Sequence, residues 1–142
     1  MSRRFLLHLL AYAVPTFLLG YVWHLVLFAG TYQALEIYRT PIIVPFGFAA
    51  ILIQGAIVAL AYPKLTVSPE RLRSGLAFAS GAALLSWTFT TLTVAAKHRM
   101  SSVADFIAIE TAFTLVQFLL VGPLLVLASR VWPEYVIRPQ AG

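Results

Sequence analysis

The 142 residues are 61% hydrophobic and only 11% charged, with a formal net charge of +5 and no cysteine. Soluble domains carry about 25% charged residues, so a water-soluble globule is excluded, and the missing cysteines exclude disulfides, thiolate metal sites and cysteine nucleophiles. The basic residues Arg3, Arg4, Arg39, Lys64, Arg71, Arg73, Lys97, Arg99, Arg130 and Arg138 sit at the joints between apolar stretches. That scatter fits lipid headgroups and argues against a nucleic-acid partner.

Four apolar stretches, 5–29, 42–62, 74–96 and 106–130, predict an all-α, polytopic four-transmembrane-helix bundle in one domain. Each has about the 20 residues that span a ~30 Å hydrocarbon layer, and none shows the period-two alternation of a barrel strand. In the first stretch, Ala11-Tyr12-Ala13 resembles a small-residue cleavage site. The apolar run continues past it to Ala29, so an uncleaved span is expected. Pro15 is expected to kink this helix, and His24 lies near its far end. The connection 30–41 carries Tyr32, Leu35 and Tyr38 at helical spacing, which predicts a short interfacial helix.

The second stretch carries Gln54 at its middle. Ser68-Pro69-Glu70 has the chemistry of a helix start: a hydroxyl cap, proline in the first turn and a carboxylate at the positive dipole end. The third stretch repeats small residues every four positions, Gly75, Ala79 and Ala83. In lipid such a face permits close helix approach, either inside one bundle or as the seam of a homodimer or larger complex. Ser102-Val103-Ala104-Asp105 matches a capping box ahead of the fourth stretch. That last stretch contains Glu110, Gln117 and Pro123, the proline again an expected kink.

In a four-span topology the termini and the second loop share one side. They carry Arg3, Arg4, Lys64, Arg71, Arg73, Arg130 and Arg138, against Arg39, Lys97 and Arg99 opposite, which predicts cytoplasmic termini. Of the acids, Glu36, Glu70, Asp105 and Glu134 fall where water or headgroups reach them. Glu110 falls inside a span, where a carboxylate is costly unless paired or protonated and is a functional candidate by default. His24, Glu36, Thr91, Lys97, His98, Asp105 and Glu110 all converge on the outer side of the membrane, with Trp23 beside them, and form the candidate polar site. The alternative is a structural network, with Glu110 paired to Lys97 or Arg99 and His24 an interfacial anchor. No His-x-x-x-His or Glu-x-x-His spacing supports a metal site, and no opposed histidine pair supports a haem, so no cofactor is expected. Gln54 and Gln117 reach similar mid-membrane depth, and a hydrogen bond between them is expected, as glue or as part of a permeation path with Thr88, Thr91 and Thr114.

The run Gly20-Tyr21-Val22-Trp23-His24-Leu25-Val26-Leu27-Phe28, with Tyr32, Ile37-Tyr38-Arg39, Pro45-Phe46-Gly47-Phe48, Ala95-Ala96-Lys97-His98, Glu110, Phe113 and Gln117, resembles a group of small bacterial four-span membrane proteins without assigned function. The resemblance spans nearly the whole chain and implies a bacterial inner-membrane location, but it brings no catalytic residue. Small multidrug exporters keep an essential acid in their first span, where this chain has only His8 and His24. The expectation is a non-enzymatic accessory or structural subunit. A proton-coupled transporter working as a homodimer through Glu110, and a membrane enzyme with an outward His24/Glu110 site, stand as alternatives. A transporter requires a polar path from Glu110 past Gln54 and Gln117; an enzyme requires an outward cleft; an accessory subunit requires neither.

Overall fold

The computed structural model describes residues 2–131; Glu134 and Arg138 lie outside the described residues. The Ser2 hydroxyl accepts the Phe5 N–H at 3.2 Å, satisfying a first-turn donor, and helix α1 (Arg3–Val22) runs on through a π-helical turn at Trp23–Leu27. A short helix, α2 (Ala29–Ala34), precedes the long α3 (Val44–Leu65). Pro45 falls in the first turn of α3, where its missing N–H has no partner to lose. Helix α4 (Leu72–Trp87) passes through a second π-helical turn, Thr88–Leu92, into α5 (Thr93–Lys97), and α6 (Val103–Val131) follows. The four spans Arg3–Leu27, Val44–Leu65, Leu72–Lys97 and Val103–Val131 have 25, 22, 26 and 29 residues. At about 1.5 Å per residue even the shortest reaches ~33 Å. The described residues are all-α, with four helices long and apolar enough to cross a membrane.

Ser68-Pro69-Glu70 does not open the third span. The Arg71 N–H donates to the Ser68 carbonyl at 3.0 Å, which closes a turn, and the helix begins at Leu72. The reason lies in where the carbonyls point. The Tyr62 hydroxyl donates to the Pro69 carbonyl at 2.6 Å and the Arg130 Nε to the Glu70 carbonyl at 2.8 Å, so both are drawn toward other spans and out of a helical ladder. The expected interfacial helix is also shorter than its spacing implied. Tyr32 lies in α2, Leu35 caps it, and Tyr38 falls beyond. Glu36 takes the left-handed conformation at φ 56°, which turns the chain off the helix end.

Packing follows the order second, first, fourth, third span: α3 lies along α1, α1 along α6, and α6 along α4. Within hydrocarbon, close packing replaces the hydrophobic drive, and the small residues supply it. A Cβ added to Gly75 would lie 2.7 Å from the Gly122 carbonyl oxygen and 2.3 Å from Val126. Gly75 and Ala79 are buried against α6, with Ala83 packed at the edge of the same core. The small-residue face therefore serves this chain's own third and fourth spans. Tyr12, Tyr62, Ala79, Phe118, Val121 and Leu125 form the core nearer the N-terminus. Tyr32, Leu35 and Phe106 form another beneath the 28–43 connection. The second and third spans meet edge-on through Tyr62 and Phe78, centroids 5.1 Å apart, and elsewhere leave an apolar groove of about 640 Å³ between them.

Candidate functional site

The loop end of the bundle, where the 28–43 and 98–102 connections lie, brings two side chains onto one carboxylate. Glu110, 7% exposed, is on α6. The Tyr32 hydroxyl donates to its Oε1 at 2.5 Å, and His24 Nε2 lies 3.3 Å from the same oxygen. Tyr32 is delivered by α2, which is pinned from across the bundle: the Ser101 hydroxyl donates to the Ala34 carbonyl at 2.7 Å and the Ser101 N–H to the Leu35 carbonyl at 3.2 Å. The Tyr32 ring stacks on Tyr38 at 4.9 Å and 5°, and His24 stands edge-on to Phe113 at 4.5 Å. Both partners of the carboxylate are thus held by aromatic contact.

Geometry sets the proton count of this pair. His24 Nδ1 lies 2.9 Å from the Gly20 carbonyl oxygen. A carbonyl only accepts, so Nδ1 carries hydrogen. The neutral ring then has a bare Nε2, which would face a carboxylate lone pair to lone pair. The contact is attractive only with one further proton, either on Nε2 as an imidazolium–carboxylate pair or on Glu110, which then donates to Nε2. Either placement bridges the same two atoms, so the geometry is one in which the two side chains can share a proton. Burial, and then the Glu110 carboxyl beside it, push the Tyr32 phenol well above its ordinary value of 10.0. The same two causes in the same order raise Tyr38. Both phenols therefore remain donors through the neutral range.

The two π-helical turns flank this site and have readable causes. In the first, the His24 ring takes the Gly20 carbonyl while the Phe28 N–H reaches back five residues to Trp23. In the second, threonine hydroxyls take over backbone acceptors: Thr88 donates to Leu85, Thr90 to Ser86, and Thr93 to Thr88. Such side-chain bonds compete with the helical ladder, and widened turns of this kind recur at functional sites. Thr91 in the second turn is fully buried, its hydroxyl without a partner among the described residues.

The other candidates are distributed differently. Glu36 is exposed and lines a pocket of about 420 Å³ with His24, Tyr32, Tyr38 and Arg39. His98 is exposed and lines a neighbouring pocket of about 730 Å³, which His24 also borders. Lys97 and Arg99 are exposed and form no ion pair with Glu110 among the described residues; His24 and Tyr32 take that place. Asp105 is exposed, and its N–H donates to the Ser102 hydroxyl at 3.2 Å, half of the expected capping box. Among the described residues no three histidine or acidic side chains converge in metal-binding geometry.

Gln54 and Gln117 do not bond each other. The Tyr12 hydroxyl donates to Gln54 Oε1 at 2.8 Å, and Gln117 Nε2 donates to the Thr16 hydroxyl at 3.3 Å. The cause is the packing order, since the first span lies between the second and the fourth and its Tyr12 and Thr16 intercept the two amides. Nearer the N-terminus His8, fully buried, holds its Nδ1 2.8 Å from the Arg4 carbonyl and its Nε2 2.8 Å from the Ser129 hydroxyl. His8, Tyr12, Thr16, Gly20 and His24 thus form one stripe at four-residue spacing along the first span. Glu110, Thr114, Gln117 and Ser129 answer it from α6, all buried. Sequence reasoning overlooked this stripe, although its spacing is the signal for it; Tyr32 was read only as an interfacial aromatic. No protein-family model, curated protein or solved structure matches this chain.

Proposed function

We propose that the protein is a small proton-coupled membrane carrier, with the His24–Glu110 pair as its titrating group. The observation that carries this reading is the Glu110 Oε1, approached by His24 Nε2 at 3.3 Å and by the donating Tyr32 hydroxyl, an arrangement in which His24 and Glu110 can share one proton. They lie at the head of a buried polar stripe. An ionisable pair inside a span, beneath a pocket lined by Tyr38 and Arg39, is the arrangement a proton-loading site needs. Thr114, Gln117 and Thr16 continue the polar surface to mid-membrane, and His8 with Ser129 resumes it near the far end. Between them Phe118, Val121 and Leu125 seal the seam. The described state is then one loaded from the loop end and closed toward the termini. The weight of basic residues at the terminal end, and the resemblance to bacterial four-span proteins, support a bacterial inner membrane with cytoplasmic termini. A cysteine at Gln33, the chain having none of its own, should react with an impermeant maleimide from outside intact cells.

The same apolar seal favours a second reading, an accessory subunit in which the polar stripe only fixes helix register. Reconstituted vesicles separate the two. Under a potassium-diffusion potential, wild-type protein should admit protons to an internal pH dye faster than empty vesicles, and Glu110→Gln and His24→Phe should abolish the difference. Entry equal to that of empty vesicles would remove the carrier reading and leave the accessory one.

A further inference from the structure

We infer that the groove between the second and third spans is a binding site for a lipophilic molecule bearing a hydrogen-bond acceptor such as a carbonyl, entering sideways from the bilayer. The groove, about 640 Å³, is walled by Ile57, Phe78, Gly81, Leu85 and Phe89, with Tyr12 and Gln54 among its lining. Its size and largely apolar wall fall within the range of small-molecule sites. One observation gives the occupant its chemistry. Gln54 stands halfway along Val44–Leu65 and is exposed on the groove side of the helix. Its Oε1 is taken by the Tyr12 hydroxyl at 2.8 Å, and its amide N–H₂ makes no hydrogen bond among the described residues.

Bulk lipid cannot answer that amide. Acyl chains carry no acceptor at mid-membrane, and an unsatisfied donor in hydrocarbon is costly. A solute with a carbonyl at that depth satisfies the N–H₂ and fills the apolar walls with its body. The groove between the third and fourth spans offers a contrast. It holds about 280 Å³, and the Trp87 indole N–H on its wall already donates to Thr111 at 2.9 Å. Tyr12 links the site inward: its hydroxyl lies beside Gln117 and Thr16, on the stripe that leads by Thr114 to Glu110. The inference names a cargo class for the proposed carrier and rests on that reading only in calling the ligand cargo.

Benzophenone is the probe, because it is apolar, bears one carbonyl and photolabels neighbouring C–H bonds. Irradiated with protein in lipid nanodiscs, it should label residues around Gln54, Leu85 and Phe89 in preference to Leu115 and Leu119 on the other groove. Diphenylmethane, the same shape without the carbonyl, should compete more weakly than unlabelled benzophenone by roughly 3- to 30-fold, the range one hydrogen bond in lipid supports. Gln54→Leu should remove that preference. Gly81→Leu, at a position where an added Cβ meets nothing within 4 Å, should block labelling while leaving the Tyr12–Gln54 bond intact. Labelling equal on both grooves, or indifferent to the carbonyl and to both variants, overturns the inference in favour of ordinary lipid. So does disulfide cross-linking of two chains through a cysteine at Gly81, which would make a second copy the occupant. Labelling is also measured in Glu110→Gln, where it should persist, so the site and the proton reading can fail separately.

Discussion

Tyr32→Phe removes one oxygen and nothing else from the centre of the candidate site. The ring keeps its place, 1% exposed and stacked on Tyr38 at 4.9 Å, so no cavity opens. What disappears is the 2.5 Å bond to Glu110, which keeps only His24 at 3.3 Å. A hydrogen bond to a charged acceptor contributes about 1.5–3 kcal/mol and one to a neutral acceptor about 0.5–1.5 kcal/mol. With the pair's proton on His24 the acceptor is charged and the variant should lose about 2 kcal/mol of stability; with it on Glu110, or in Glu110→Gln, the loss should be only about 1 kcal/mol. The double-mutant cycle is measured by reversible unfolding in mixed micelles, followed by far-ultraviolet circular dichroism. A loss below about 0.5 kcal/mol, within the range of an ordinary surface change, would refute the reasoning. An equal loss with glutamine at 110 would place the proton on Glu110, since the bond would then owe nothing to the carboxyl's charge.

Other consequences follow from the same structure. Gly75→Ala forces α4 and α6 apart at a backbone carbonyl and should cost about 1–3 kcal/mol in the same unfolding assay. Gly81→Ala meets only open space and should be neutral or stabilising by up to about 1 kcal/mol, since alanine is the better helix former; a reversed order would show the packing to be misassigned. Tyr32 and Tyr38, raised in the folded state by burial and by Glu110, stabilise the protein fully below the ordinary phenol value of 10.0. That contribution should fall away as pH rises beyond it, because the unfolded chain ionises first. Tyrosinate absorbance, titrated in folded protein and in each Tyr→Phe variant, should show these two phenols ionising last; ionisation at the ordinary value would contradict their burial.

Four spans were legible because lipid demands long apolar helices and little else competes with that pattern. Glu110 and His24 stood out for the same reason, as ionisable groups where hydrocarbon makes them expensive. Their partner Tyr32 was hidden, because an aromatic at helical spacing near an interface reads as an anchor. Only the Ser101 bonds across the bundle turn it inward. Lys97 and Arg99 looked like partners for Glu110 because they lie close in depth, but depth says nothing of azimuth, and both face outward. The Gln54–Gln117 expectation failed similarly: equal depth implied contact, while the order of packing put Tyr12 and Thr16 between them. The start of the third span was open to misreading because Tyr62 and Arg130 decide where the Pro69 and Glu70 carbonyls point.

The most direct test of the shared proton is infrared difference spectroscopy of protein in lipid as pH is stepped upward, on wild type, Glu110→Gln and His24→Phe. The geometry predicts that the wild type releases one proton from the pair. Its signature is loss of a carboxylic-acid C=O band or of an imidazolium ring band, absent from Glu110→Gln and altered in His24→Phe. Superimposable spectra from wild type and Glu110→Gln would mean that no proton resides between His24 and Glu110, and the carrier reading would lose its foundation.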